Sequence, residues 1–264
     1  MRTLLLLLIA ATPLYEMSSD TVDDYLGALA VETPSYTARV ETLARAACGT
    51  PYANGPLGEG PDGKYDRDPL MDLSKVDCVT YVEQVLALAS AATYQEAFDH
   101  LQRIRYRAGR IGFETRNHFM VADWLANNAW CRDVSDTLGV DTESLTRTIN
   151  RKDFFELVDA PGLGQDVPPQ EVTIEYVPGD RAAAAAKKLS SPTLIVFIGK
   201  KPEWLFALHT GLYARDDQGT PHLYHASSQA EHVVETDLAQ YLSAQAERYL
   251  GFTAHAITPP PFAK

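Results

Sequence analysis

The chain has only three cysteines in 264 residues, Cys48, Cys78 and Cys131. No two form a CxxC pair, so a disulfide-stapled miniature scaffold is excluded. The count is odd. In an oxidising compartment at least one thiol stays free, and Cys48 with Cys131 is the only pairing that spares Cys78. Positive charge is also short: 23 Lys and Arg against 35 Asp and Glu leave a formal net charge of -12. That balance argues against nucleic acid or anionic membrane as the main partner and leaves room for a substrate held in a local cleft. Long apolar runs are missing. The run Leu4 to Ile9 is too short to span a bilayer, so no stable membrane insertion of the mature chain is expected. With Arg2 before it and Ala10-Ala11 after, it has the form of an export signal. The expectation is a leader over 1–18, one domain over 19–264, and a secreted or periplasmic protein. Gly58-Glu59-Gly60 is not followed by Gly-Lys-Ser/Thr, so it is no phosphate loop. Nor is there an internal repeat. Oligomeric state is not legible.

Apolar residues make up 45% of the chain, enough for one sizeable core or two small ones. The first half reads as helices: Thr37 to Cys48, then a start at Asp77 or Cys78 running to about Ala92, then Tyr94 to Tyr106, then Phe119 to Ala129. Val79, Val82, Leu86 and Ala89 recur at helical spacing, which predicts one buried face for the second of these. Between the first two lies a Gly-, Pro- and Asp-rich loop over residues 49–69. The second half reads as strands: Val172 to Val177, Thr193 to Ile198, Leu205 to Ala214, His222 to Ala226 and Gly251 to Ile257. Asp216 to Gly219 supplies a hairpin turn. Arg181 to Leu189 is a helical segment or a linker, and Pro259-Pro260-Pro261 an extended tail. Helices followed by an antiparallel meander give an α+β class.

Cys78 is expected at the start of a helix, where free backbone N–H groups and the positive end of the dipole favour a thiolate and can receive an oxyanion. Alone it reads rather as a small apolar core residue. His209 and His225 fall on two strands joined by the short turn, close enough across the pair for one imidazole to take the thiol proton and the other to orient it. Two alternatives are local satisfaction of both histidines and a metal site from His209, His222, His225 and Cys78. The metal site lacks a convincing ligand spacing, so no metal and no cofactor is expected.

Asp77-Cys78 at a helix start, His209-Thr210-Gly211-Leu212-Tyr213 and His225-Ala226-Ser227-Ser228 together resemble the signature segments of NlpC-type papain-like peptidoglycan hydrolases. Gly49-Thr50-Pro51-Tyr52 is similar to that superfamily's entry motif. Leu57-Gly58-Glu59-Gly60, Thr80-Tyr81-Val82-Glu83, Arg116-Asn117-His118-Phe119 and Asp123-Trp124 place the likeness in the N-acetylmuramoyl-L-alanine amidase-like branch, from about Thr37 to Ile257. The resemblance implies a papain-like fold, with a helical part carrying the nucleophile on an antiparallel sheet. It implies Cys78 as nucleophile, His209 as base, His225 as orienting residue and Tyr52 beside the oxyanion. The implied reaction is hydrolysis of the amide between N-acetylmuramic acid and L-alanine. Arg116, Asn117 and His118 would line the cleft, the arginine fork reading a stem-peptide carboxylate, while Asn117 reads alternatively as a helix cap. Asp77 either contacts a substrate amine or caps its own helix. Rival functions on the same residues are a stem-peptide endopeptidase cutting after D-glutamate, a thiol acyltransferase, and a wall-binding module without activity.

Overall fold

The computed structural model describes residues 12–263, so the apolar run read as an export signal lies outside the described residues. Thr12 onward packs on the domain, with Leu14 buried in the main core. Among the described residues no helix is long and apolar enough to cross a membrane.

The helical layer consists of α1 (Ser19–Glu32), α2 (Tyr36–Ala46), α3 (Cys78–Ala89) and α4 (Tyr94–Arg105). Each starts on a side-chain cap: Ser18, Ser35, Asp77 and Thr93 accept from backbone N–H groups of the first turn, satisfying donors that have no partner within the helix. The periodicity placed α2, α3 and α4 and missed α1. It also misjudged α3, which is buried on every side rather than along one face. The reason is that its polar residues find internal partners. Glu83 meets Arg105 and Trp124, and the Gln84 Oε1 accepts from the Asp72 N–H. The segment expected as a helix over Phe119 to Ala129 is a wide π-turn, Met120–Trp124, running into one α-turn, Leu125–Asn127.

The sheet has eight strands, β1 (Cys131–Asp133), β2 (Glu143–Ile149), β3 (Gln170–Pro178), β4 (Thr193–Gly199), β5 (Ala207–Arg215), β6 (Pro221–Ser227), β7 (His232–Thr236) and β8 (Tyr249–Ile257). Its order is β2-β3-β8-β4-β5-β6-β7, with β1 also on β8, and all pairs are antiparallel. The α+β class with an antiparallel sheet therefore holds. Among the described residues the shorter α-helices also include α5 (Arg151–Leu157), α6 (Ala182–Ala186) and α7 (Leu238–Ala244).

Both faces of the central strand β4 are covered, which is why it reads as an unbroken apolar run. Leu194, Val196 and Ile198 point into the main core, while Ile195 and Phe197 join a second core with Leu238 and Leu242 of α7. The β4–β5 ladder slips by one residue, Phe197 facing His209 and Ile198 facing Ala207, so Leu208 is the extra residue of a bulge. Gly199 makes room for it: a Cβ there would sit 2.3 Å from the Leu208 side chain. The Cys48–Cys131 bond weighed above is not formed, and all three cysteines are free. Cys131 lies on β1 beside β8, whereas the backbone just after Cys48 bonds to Val233 on β7, with β4, β5 and β6 between.

Candidate active site

Cys78 is the first residue of α3. Asp77 caps it, its Oδ1 accepting from the backbone N–H groups of Val79 (3.0 Å) and Thr80 (2.8 Å) while Thr80 Oγ1 closes a capping box. Asp77 Oδ2 accepts from the Gly55 N–H at 3.1 Å, tying the long loop to the helix start. Asp77 is thus a helix cap that also lines the cavity. Backbone N–H groups of Cys78, Val79 and Thr210 all favour a negative sulfur, but burial, and then the Asp77 carboxylate, push the thiol up to about 12. The expected depression by the helix terminus is therefore overridden. A buried site next to a fixed carboxylate disfavours the thiolate by more than the N–H groups favour it. The residue as a whole is half-buried and lines the cavity.

Across the cavity, His209 Nε2 and His225 Nδ1 lie 2.8 Å apart, their rings nearly perpendicular. They sit diagonally on β5 and β6, whose register sets Leu212 opposite Tyr224. Gly211 permits this approach, because a Cβ there would lie 3.0 Å from His225 Cβ and 2.8 Å from the Tyr224 carbonyl oxygen. Burial holds both imidazoles neutral. His225 falls to about 4, and His209 falls well below its usual value, lowered further by His225 and Arg248. Cys78, His209 and the Thr210 backbone line one cavity of about 280 Å³. Tyr52 is not among the residues that line it. Its backbone N–H bonds to Glu231 O at 2.8 Å, and its hydroxyl is raised by burial and by the nearby Cys78 and Asp77.

The other expected residues also line the cavity, in altered roles. Arg116 is already engaged: Nε and Nη2 bond Glu59 Oε1 at 2.8 and 2.6 Å, and Nη2 bonds Asp66 at 2.8 Å. Its Nη1 is the nitrogen not spent on these carboxylates. Asn117 is no helix cap, since the cap position is Phe119. Its amide instead donates to Ile104 O at 2.9 Å and accepts from Asn127 at 2.7 Å, fastening the segment to α4. His118 Nε2 lies 2.6 Å from the Phe113 carbonyl oxygen, and burial lowers its pKa to about 4. His222 lies apart from the other histidines, between Asp216 (3.2 Å) and Glu235 (3.4 Å). Among the described residues no cluster of three or more His, Cys, Asp or Glu could hold a metal ion.

Several residues of the site were given no role by the sequence reading. Glu83 and Arg105 form a buried ion pair at the cavity floor, with Trp124 Nε1 donating to Glu83 Oε1 at 3.0 Å. A carboxylate inside the apolar helix Cys78–Ala89 was the available signal, because an unpaired buried charge is not tolerated. Tyr241 of α7 packs its ring 4.7 Å from that of His225 and 5.8 Å from that of His209, and its hydroxyl lies 3.3 Å from that of Tyr249. Phe197 stacks on His209 at 5.5 Å. Nothing local in the sequence marked these contacts.

A family described as AmiA-like, N-acetylmuramoyl-L-alanine amidase-like, matches residues 42–250. A solved protein from Legionella pneumophila str. Philadelphia 1, of family DUF1460, superposes with a TM-score of 0.79 at 21% identity, covering 94% of this chain and 96% of that one. An N-acetylmuramoyl-L-alanine amidase from Bacteroides uniformis ATCC 8492 superposes with a TM-score of 0.66 at 24% identity, covering 84% and 99%. At these identities the likeness speaks to the fold. No curated protein matches the chain.

Proposed function

Because this chain belongs to the N-acetylmuramoyl-L-alanine amidase-like family, a family of cell-wall hydrolases, we propose that it hydrolyses the amide between N-acetylmuramic acid and L-alanine by a Cys78-His209-His225 thiol mechanism. We read the fold as the papain-like NlpC type. One observation carries the proposal: the 2.8 Å bond between His209 and His225, in a cavity His209 shares with a helix-borne thiol. With His209 Nε2–H donating to His225 Nδ1, the His209 Nδ1 lone pair is left free for the thiol proton.

The steps follow from that tautomer. Cys78 Sγ attacks the lactyl carbonyl as its proton passes to His209 Nδ1, and the oxyanion faces the Cys78 backbone N–H and the Tyr52 hydroxyl. His209 then protonates the departing alanine nitrogen, leaving a thioester. Water, deprotonated by His209, attacks the thioester, releasing the lactyl carboxylic acid and restoring the thiol. A neutral Cys–His pair suits this route, since proton transfer accompanies attack rather than preceding it. Arg116 Nη1 is offered as the contact for a substrate carboxylate, with Asp77, Asn117 and His118 shaping the wall around it. No metal or organic cofactor has a role in these steps.

The chain is proposed to be exported through an N-terminal leader, expected over 1–18, ahead of one catalytic domain expected over 19–264. The test is a muropeptide digest analysed by mass. The parent should release intact stem peptide from the sugar, and Cys78→Ala and His209→Ala should lose this by at least about a thousandfold, the scale on which a nucleophile or its base matters. Cleavage after D-glutamate, transfer to an added amine, or undiminished release by Cys78→Ala would each displace this proposal.

A further inference from the structure

We propose that Trp204 is the platform of an outer saccharide subsite, on which a pyranose ring of the substrate stacks. The inference rests on the amidase reading and names the part of the substrate that this surface takes.

The cavity at Cys78 holds about 280 Å³. That is just below the roughly 300–1,000 Å³ in which pockets enclose a drug-sized ligand. A sugar joined to a peptide must therefore run out over the rim. The rim on the β4–β5 side is the loop 200–206, whose Leu205 lines the cavity. The next residue back, Trp204, remains 38% exposed, an unusual state for so large an apolar ring. The chain has three tryptophans, and of the other two, Trp124 is fully buried.

Trp204 is not a loose surface residue. Its ring rests against Phe119 at 6.5 Å and Phe154 at 6.4 Å. Phe119 sits between His118 and Met120, both of which line the cavity. The loop itself is pinned from β2. Arg147 donates to the carbonyl oxygens of Leu205 and Gly199, the latter at 2.8 Å, and its guanidinium lies over the Phe206 ring. The indole is thus held in place before any ligand arrives, which removes an ordering cost from binding. An indole face is apolar and electron-rich, and a pyranose presents a complementary face of C–H bonds ringed by hydroxyls. Lys200, Lys201 and Glu203, all exposed beside Trp204, supply polar partners for those hydroxyls. The peptide part of a substrate has no comparable flat apolar face.

The experiment compares the full chain with Trp204→Ala and Trp204→Phe on two substrates. One is a soluble disaccharide-peptide; the other is an N-lactoyl-L-alanyl peptide, which keeps the scissile amide and lacks the ring. Trp204→Ala should raise KM for the first about tenfold, or about 1.4 kcal/mol, with kcat within about twofold, and leave the second unchanged; Trp204→Phe should restore most of the loss. In parallel, peptide-free disaccharide is titrated into Cys78→Ala with tryptophan emission as readout, with and without Trp204→Ala. The emission change should vanish with the indole. Equal KM changes on both substrates would assign Trp204 to the peptide and overturn the inference, as would an emission response that survives Trp204→Ala or is absent in Cys78→Ala. If the parent cleaves neither substrate, the amidase reading fails while the titration still decides whether Trp204 binds saccharide.

Discussion

Replacing Gly211 by alanine probes how closely strand packing controls the imidazole pair. The added Cβ would stand 2.8 Å from the Tyr224 carbonyl oxygen, 2.9 Å from Leu223 Cδ1 and 3.0 Å from His225 Cβ. Ordinary contact begins near 3.4 Å, so β6 must retreat by roughly half an ångström, a strain of about 1–3 kcal/mol for an overpacked site. For a domain of this size that lowers Tm by roughly 2–12 °C. The same retreat stretches the His209–His225 bond from 2.8 Å toward the range where such bonds weaken. Misplacement by about 1 Å costs on the order of a hundredfold in rate, so half of that should reduce kcat/KM about tenfold. Muropeptide turnover and thermal melting measure the two effects. In a His225→Ala background the melting shift should persist, because the Tyr224 carbonyl remains in place, while the further loss of activity should fall below about twofold. Parental kcat/KM in Gly211→Ala, or an undiminished tenfold loss when His225 is already absent, would refute the reasoning.

Two further predictions concern charge. His118, His225 and His255 are each lowered to about 4 by burial, and burial also holds His209 well below its usual value. Between about pH 6.5 and 4 the unfolded chain therefore binds more protons than the folded one, so stability is present above that window and lost as pH falls through it. Tm should drop between pH 8 and pH 5, and kcat/KM should stay level from pH 8 to below 6.5; an unchanged Tm or an acid limb centred at 6.5 would contradict the buried neutral imidazoles. Glu83→Gln leaves Arg105 buried without its counter-charge, which should cost about 3–5 kcal/mol, read as a lower urea midpoint that added salt does not mimic in the parent.

Much of this arrangement was legible because it depends on local rules. The helix start at Cys78 follows from a capping Asp77 and the apolar run behind it. The β5–β6 hairpin follows from Asp216 to Gly219, where Gly219 adopts φ +82° and the Asp216 N–H bonds Thr220 O at 2.7 Å. That turn is what brings His209 and His225 together. Less legible were elements whose order comes from tertiary contact. The strand Glu143–Ile149 is mostly exposed and polar and is held by pairing with Gln170–Pro178. The helix Leu238–Ala244 has seven residues and exists largely as a lid on the second core. Tyr241 was invisible for the same reason. The thiol was misjudged from the opposite direction: a helix terminus is a local feature, but the burial that outweighs it is a property of the whole fold.

The extra residue at Leu208 separates two jobs that one hairpin would otherwise have to share. Residues after it keep strict alternation, which fixes the direction of the His209 imidazole, the base in the proposed mechanism, while residues before it take their direction from the loop. Substitutions over residues 200–206 can therefore change what reaches the rim without turning the His209 imidazole. A chain with this irregularity ironed out would exchange the two faces of the strand from His209 onward, and every substitution made to broaden its substrate range would carry a catalytic penalty.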